Sequence, residues 1–256
     1  MGQNFLQDPL VISRIIHAAG VKAGDRLVEI GPGLGAMSQP LLKQSGQLWA
    51  IELDNHLAKI LQQKSSQWPG TFHLLQEDAL QVHFQNLAQE LGGPLKVVAN
   101  LPYAISSPLL FHFLDHKSAF SDLTLMLQKE VVDRMAAPPG GKDYGVVSIH
   151  LQRMFTITPL FQVPPEAFHP QPKVTSAVVQ LVPRSLPLVD VQDDALFHRI
   201  VKAAFGQRRK TLSNALSALM PAPWFQESGI DPRRRGETLS IQEFANLTHF
   251  LLQKMR

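Results

Sequence analysis

The 256-residue sequence contains no cysteine, which excludes disulfide bonds, thiolate metal sites and cysteine nucleophiles. It also contains no apolar run of membrane-spanning length, and no basic segment leading into an apolar stretch opens the chain. We therefore expect a protein that works without a membrane, in a reducing, cytoplasmic setting. The 45% of hydrophobic residues is enough to build one α/β domain and a small second domain.

Charge is scarce in total but unevenly distributed. The formal net charge is +3, and residues 1–183 carry 13 Lys and Arg against 14 Asp and Glu. Residues 184–256 carry 11 against 7, so the excess of positive charge lies in the last part of the chain. The basic residues form two clusters: Arg208, Arg209 and Lys210, and Arg233, Arg234 and Arg235. Clusters of this kind are often solvated helix ends, but beside a base-binding loop they predict a phosphate-binding surface.

Five short apolar runs alternate with helical segments, which predicts a parallel sheet with crossover helices. These runs are residues 26–30, 48–53, 72–75, 95–99 and 123–127. Two later β-rich segments, residues 154–163 and 177–182, are expected to form an antiparallel edge of the same sheet. The first helix is predicted to begin after Asp8, with Pro9 at its first position.

A linker rich in Pro and Asp, from Pro183 to Asp194, separates this region from an all-helical tail. In the tail, Ser240 and Glu243 have the spacing of a capping box that opens a last helix. We therefore predict two domains, residues 1–183 with the sheet and residues 184–256 with helices and the basic clusters.

The segment Asn100-Leu101-Pro102-Tyr103 follows the fourth apolar run and precedes a helix start at Ser107. The Asn amide oxygen and the carbonyl before the proline can both accept hydrogen bonds from an amino group, and Tyr103 offers a stacking face. Pro102 stiffens the loop and has no N–H. The segment alone is equally compatible with a rigid loop that carries a surface tyrosine.

Three other strand ends carry groups suited to a nucleoside cofactor. Gly31 and Gly33 lie in a glycine-rich turn that lets a ligand approach the backbone, although its spacing is not that of the dinucleotide fingerprint. Glu52 ends the second run, where a carboxylate can bind both ribose hydroxyls, and Asp78 ends the third, where it can accept from an adenine amine. Because ligands of open α/β sheets bind at the carboxyl ends of strands, these groups predict one site that faces Asn100.

The order of these motifs resembles the S-adenosylmethionine-dependent methyltransferases, and more closely the ribosomal RNA adenine dimethylase family. The resemblance covers essentially the whole chain. It implies an α/β fold, a Rossmann-like methyltransferase sheet with a small C-terminal helical domain, and S-adenosylmethionine as cofactor. The motifs that carry it are residues 3–6, 29–33, 51–54, 100–103, 168–174 with Ser176, 208–212 and 235–239.

Carried over to this chain, the resemblance implies that Tyr103 and Phe168 hold a target adenine between aromatic faces while Asn100 and Leu101 orient its amine. It further implies adenine N6 dimethylation in small-subunit (16S) ribosomal RNA, with a role in small-subunit biogenesis, by a monomer. The cofactor-binding residues implied are Asn4, Leu6, Gly31, Gly33, Glu52, Asp78 and Asn100.

Two departures from the family pattern are visible. The chain begins almost at its Gly-Gln-Asn-Phe-Leu motif, without the usual basic lead-in, and Ala104 stands where a second asparagine is usual. We expect Ala104 to alter loop rigidity and to weaken activity without abolishing the mechanism.

Two alternative functions remain open at this stage. One is a large-subunit (23S) ribosomal RNA adenine methyltransferase of the resistance type, and the other is a non-catalytic RNA-binding assembly factor. A metal site is not predicted, because His112 and His116 have helical spacing but no third ligand near them in the sequence.

Overall fold

The computed structural model describes residues 4–207 and 209–255. These residues form two compact units. The first contains the residues up to Val132 together with Thr156–Pro183, and the second contains Asp133–Phe155 together with the described residues from Arg184 onward. None of the helices in the described residues is long and apolar enough to cross a membrane.

Seven strands form one sheet: β2 (Leu27–Ile30), β3 (Gln47–Ile51), β4 (Thr71–Leu75), β5 (Leu95–Asn100), β6 (Phe120–Gln128), β7 (Phe155–Val163) and β9 (Ser176–Pro183). The pairs among β4, β3, β2, β5 and β6 are parallel, and β9 runs antiparallel to β6. In such a sheet the carboxyl ends of the parallel strands lie at one edge. The order of the strands across the sheet is β4-β3-β2-β5-β6-β9-β7.

A second, two-stranded sheet pairs β1 (Phe5–Leu6) with β8 (Phe168–His169) in antiparallel register. Leu6 lies opposite Phe168, and both side chains are buried in the core of the first unit. The N–H of Gln7 extends the pairing by donating to the carbonyl of Ala167 at 2.8 Å. Apolar burial therefore fixes the start of the described chain against the Phe168 segment.

The helices begin where side-chain caps satisfy the free N–H groups of the first turn. Asp8 accepts from Leu10 and Val11 at the start of the first helix, as predicted, and Ser240 and Glu243 form the predicted capping box. The helices are α1 (Pro9–Ala19), α2 (Ser38–Ser45), α3 (Asn55–Ser65), α4 (Phe84–Glu90), α5 (Ser106–Asp115), α6 (Lys129–Ala136), α7 (Val146–Met154), α8 (Asp194–Gly206), α9 (Leu212–Ala215), α10 (Ala222–Ser228) and α11 (Ile241–Lys254).

The predicted sheet is confirmed, since each of the five apolar runs forms a parallel strand whose ends lie within three residues of the prediction. The boundary at Pro183 also coincides with a boundary of the compact units. The second unit, however, is larger than the predicted tail, because it includes Asp133–Phe155. The reason is packing: Tyr144 and Ile149 are fully buried in the same apolar core as Phe197 and Phe244.

Candidate active site

The Asn100 corner lies directly at the carboxyl end of β5. The N–H of Leu101 donates to the carbonyl of Met126 at 3.1 Å, which continues the pairing with β6 for one residue beyond the strand. The carbonyl of Pro102 accepts from the N–H of Ile105 and from the Ser106 hydroxyl, both at 3.1 Å. These bonds fix the backbone of the corner before α5 begins.

Two acceptors of the corner remain open. Within the described residues, neither the half-buried Asn100 amide nor the Leu101 carbonyl makes a hydrogen bond, although Leu101 itself is 1% exposed. Both residues line the cleft, so a ligand bound there can donate a hydrogen bond to each acceptor. An exocyclic amine has this donor pattern.

The glycine-rich turn lies beside this corner. A Cβ built on Gly31 would meet the Asn100 carbonyl and the Pro102 ring at 3.7 Å, and Gly31 has a φ of +67° that favours glycine. A Cβ on Gly33 would meet the Phe5 ring at 3.1 Å. The turn therefore packs closely between the corner on one side and β1 on the other.

Two carboxyl groups lie on this side of the cleft. Glu52 is 6% exposed, and its oxygens accept from the N–H groups of Asp54 at 2.9 Å and Gly33 at 3.3 Å. Burial raises its pKa despite these bonds. Glu52 and the second acid, Glu29, both favour a ligand with positive charge, because an opposite charge offsets the cost of burying a carboxylate.

Glu29 is the acid that sequence reasoning missed as a site residue. It is completely buried, and its Oε2 accepts from the Ser38 hydroxyl at 2.5 Å. Its Oε1 is buried without a hydrogen-bond partner within the described residues. Desolvation, which outweighs the Ser38 bond and is reinforced by Glu52, raises the pKa of Glu29 to about 8. The signal in the sequence was its place as the third residue of a buried strand, next to the glycine-rich turn.

The β1–β8 pair brings the N-terminal and Phe168 segments to the same cleft. Phe168 is 5% exposed, because most of its ring packs into the core of the first unit. Tyr103 is half-buried, and its hydroxyl shares a hydrogen bond of 2.8 Å with the Ser176 hydroxyl. Both predicted aromatic faces thus line one cleft, and their role in holding a base stays a prediction.

The cleft has a volume of about 510 Å³, which suits a nucleoside-sized ligand. It brings together all but one of the residues predicted for the catalytic and cofactor site. Asp78 is not among the lining residues, and its carboxylate accepts from the Leu80 N–H at 2.9 Å. The predicted residues that line the cleft are Asn4, Leu6, Gly31, Gly33, Glu52, Asn100, Leu101, Pro102, Tyr103 and Phe168.

Lys64 and Trp68, near the end of α3, also line the cleft and were not predicted. The Lys64 ammonium donates to the Leu34 carbonyl at 3.0 Å. A Cβ on Gly35 would meet the Trp68 ring at 2.8 Å. Both side chains therefore hold the glycine-rich turn from its outer side, a contact that no local sequence pattern signals.

The two basic clusters are adjacent in the second unit. The N–H of Leu212 donates to the Arg234 carbonyl at 2.7 Å, and the N–H of Ser213 donates to the Pro232 carbonyl at 3.1 Å. Exposed side chains among the described members are those of Arg209, Lys210, Arg233 and Arg235. The predicted Arg208 lies outside the described residues.

Arg234, a member of the predicted phosphate-binding surface, has partners within the second unit. Its guanidinium forms an ion pair with Glu243 and donates to the Thr238 carbonyl at 2.7 Å. Arg233, although 87% exposed, pairs with Asp231 at 3.1 Å. An RNA phosphate would compete with these carboxylates, so Arg209, Lys210 and Arg235 are the stronger candidates for phosphate contact.

Comparisons with known proteins place this site in context. The model of the ribosomal RNA adenine dimethylase family matches residues 1–253. A ribosomal RNA small subunit methyltransferase A from Magnetococcus marinus is 50% identical over 250 residues, covering 97% of this chain and 89% of the relative.

Two solved structures share the fold. A dimethyladenosine transferase from Plasmodium falciparum has a TM-score of 0.77 and 24% identity, covering 98% of this chain and 97% of the other. The 23S rRNA methyltransferase ErmE has a TM-score of 0.73 and 23% identity, covering 98% and 100%. These two likenesses support the predicted Rossmann-like methyltransferase fold.

Replacing Gly35 by alanine is expected to weaken binding of the expected cofactor, because the new methyl group displaces Trp68 from the turn. Gly46 is a matched control: its φ of +80° resembles the +84° of Gly35, but nothing lies within 4 Å of a built Cβ. Both substitutions should lower stability by about 1 kcal/mol through left-handed backbone strain. Calorimetric titration with S-adenosylmethionine should show a several-fold higher Kd for Gly35→Ala and no such rise for Gly46→Ala. Equal affinities of the two variants would contradict a contribution of the glycine-rich turn to cofactor binding.

Proposed function

Because this chain belongs to the ribosomal RNA adenine dimethylase family, we propose that it dimethylates the N6 amines of adenines in small-subunit (16S) ribosomal RNA, with S-adenosylmethionine as methyl donor. The single observation that carries the chemistry is the pair of open acceptors, Asn100 and Leu101, at the edge of the cleft. The 50% identity to a small-subunit enzyme, against 23% to a 23S enzyme, favours the small subunit.

The residues of the cleft fit this cofactor. S-adenosylmethionine supplies an electrophilic methyl group on a positively charged sulfonium. A positively charged ligand favours the ionised forms of Glu29 and Glu52, whose pKa values burial raises, and Glu52 offers carboxylate oxygens to a ribose. The positive φ values of Gly31 and Gly33 favour glycine, and the missing side chains let the turn pack against the corner and Phe5 at the wall of the cleft. Asp78, as predicted from the strand end, remains the proposed acceptor for the cofactor adenine.

The corner orients the target amine. The lone pair of an adenine amine is delocalised into the ring, which makes it a weak nucleophile. Hydrogen bonds from its two N–H groups to Asn100 Oδ1 and the Leu101 carbonyl would favour a pyramidal and more nucleophilic nitrogen. Asparagine is not a general base, so the proton that the amine gives up on methylation would leave to solvent. Catalysis is therefore mainly positioning and desolvation.

Tyr103 and Phe168 hold the adenine ring that has left its RNA stack. Stacking on an aromatic side chain is worth roughly 1–3 kcal/mol per base, which offsets much of the cost of unstacking. Because Phe168 is almost fully buried, Tyr103 provides most of the accessible aromatic surface. A second methyl transfer needs room for the first methyl group between these walls.

We further propose that the protein acts as a monomer in the cytoplasm, on the small ribosomal subunit during its biogenesis. The decisive experiment offers labelled S-adenosylmethionine with unmethylated small subunits, large subunits or duplex DNA in separate reactions, followed by nucleoside analysis. We expect N6,N6-dimethyladenosine from small subunits only. Label in large subunits alone would favour the resistance-type alternative, and binding without transfer would favour an assembly factor.

The basic surface of the second unit should bind the RNA backbone. Substituting Arg209, Lys210 and Arg235 together by alanine should lower RNA affinity at least tenfold at moderate salt and reduce the salt slope by roughly 1 per phosphate contact removed. Filter binding across a range of salt concentrations measures both quantities. An unchanged slope would place the phosphate contacts on another surface.

Arg234→Ala is the matched variant. It breaks the ion pair with Glu243 and should lower the free energy of unfolding by roughly 1–2 kcal/mol, between the values for exposed and buried pairs. RNA affinity of the folded protein and its salt slope should change little. A loss of RNA affinity as large as that of the triple variant would show that Arg234 also contacts phosphate.

A further inference from the structure

We propose that Ser176 is a positioning residue for the methyl transfer, because its hydroxyl fixes the direction in which the Tyr103 ring, against which the target adenine stacks, extends into the cleft. The two hydroxyls share a hydrogen bond of 2.8 Å. This inference rests on the proposed function, since it assigns Ser176 a part in holding the same substrate.

The position of the Ser176 hydroxyl is fixed by the sheet. Ser176 is completely buried and is the first residue of β9, where it lies opposite Gln128 of β6 in antiparallel register. The neighbouring Thr175 carbonyl accepts from the Lys129 N–H at 2.9 Å, just beyond the strands. A hydroxyl on such a rigid element is a better anchor than one on a loop.

Tyr103 needs an anchor, because it lies on a short 3₁₀ turn between β5 and α5. Pro102 and Ala104 on either side of it are exposed, and Tyr103 itself is only half-buried. The Ser176 bond is the one hydrogen bond of the Tyr103 hydroxyl within the described residues. Because that hydroxyl is at the far end of the ring, the bond restricts the direction in which the ring lies. Stacking depends on this orientation.

The bond also joins the two aromatic walls of the cleft. Phe168 lies at the start of β8, and a loop of six residues, 170–175, leads from β8 to β9, which begins at Ser176. One continuous segment therefore carries the Phe168 wall and anchors the Tyr103 wall. The separation of the two faces is thereby set within a single region of the first unit.

The test combines Ser176→Ala, Tyr103→Phe and the double variant, assayed with small-subunit RNA and S-adenosylmethionine. Each single variant should lower kcat/KM for RNA about tenfold, a size typical of misplaced substrate, with Kd for the cofactor within about twofold of the unmodified protein. The double variant should be no worse than either single variant, because both remove the same bond. Additive losses, or full activity of Ser176→Ala, would overturn the proposal.

Ser45→Ala is the matched control, because it also removes a buried hydroxyl, one that donates to the carbonyls of Leu41 and Gln47 and does not line the cleft. It should lower the melting temperature without changing kcat/KM. If Ser176→Ala behaved in the same way, its hydroxyl would serve stability alone.

A spectroscopic measurement separates failure of this inference from failure of the proposed function. The chain has two tyrosines, so 3-fluorotyrosine labelling should give two ¹⁹F resonances, of which Tyr103→Phe removes one. Ser176→Ala should shift the Tyr103 resonance and leave that of Tyr144 in place; an unmoved signal would refute the anchor. If the unmodified protein methylates no RNA but the resonance moves, the proposed function fails and the anchor stands.

Discussion

Asn100→Ala should lower kcat about 10³-fold, the upper range for the loss of one preorganised hydrogen-bonding group in an active site. The affinity for RNA should fall far less than turnover and stay within about threefold, because the amide acts on the amine after the RNA is bound. Single-turnover kinetics with small-subunit RNA and separate binding titrations measure the two effects.

Folding should tolerate this substitution. The Asn100 amide makes no hydrogen bond within the described residues, so alanine leaves no buried group without a partner. Asn86→Ala is the matched control, since that side chain is exposed on α4 outside the cleft and should leave kcat unchanged. An equal loss of turnover and RNA affinity in Asn100→Ala would mean that the corner is only a binding element.

The sequence predicts those parts of the fold and site that depend on local patterns. Each parallel strand is a short apolar run, and each predicted cap satisfies N–H groups only two or three residues away, as Asp8 and Ser240 do. The corner at Asn100 was predictable for the same reason, because a strand end places the following residues at the edge of the sheet.

Contacts between distant segments could not be predicted in this way. The β1–β8 pair consists of two-residue strands, which are too short for any periodicity, and its partners Leu6 and Phe168 are 162 residues apart. Trp68 reaches Gly35 from the end of α3, and Asp133–Phe155 joins the second unit through its apolar core. Such contacts depend on the assembled fold.

A run of like charges does not show which of its members has a partner. Arg233, Arg234 and Arg235 are predicted together as part of a phosphate-binding surface, and in the structure Arg234 pairs with Glu243, nine residues later, while Arg235 is exposed. The effect of Ala104, which is exposed in the turn after the corner, stays a prediction. Glu29 shows the opposite case, in which an acid within a buried strand becomes part of the site.

The titration of Glu29 leads to the second large effect, a pH dependence of cofactor binding. With a pKa of about 8 in the free protein, Glu29 is mostly protonated at neutral pH. A cationic ligand favours the carboxylate, so binding below pH 8 releases a proton, and affinity gains at most about tenfold per pH unit up to that pKa.

The ligand's own amino group titrates in the same range, so the comparison with Glu29→Gln is essential. The ratio of the Kd of Glu29→Gln to that of the unmodified protein cancels the titration of the ligand. Calorimetric titrations from pH 6.5 to 8.5 should show this ratio rising by about 10-fold or more, and a flat ratio would mean that Glu29 does not change its charge on binding.

The stability of the ligand-free protein should change in the opposite direction. Because the folded-state pKa of Glu29 is raised from 4.5 to about 8, the folded state binds more protons than the unfolded state between these two pH values. The free energy of unfolding therefore falls by up to about 1.4 kcal/mol per pH unit as the pH rises through this range, and it is constant above the range. The melting temperature of the unmodified protein relative to Glu29→Gln should fall from pH 6 to 8 and then level off. Saturating S-adenosylmethionine should reduce this fall, because it supplies the positive charge that the buried carboxylate lacks.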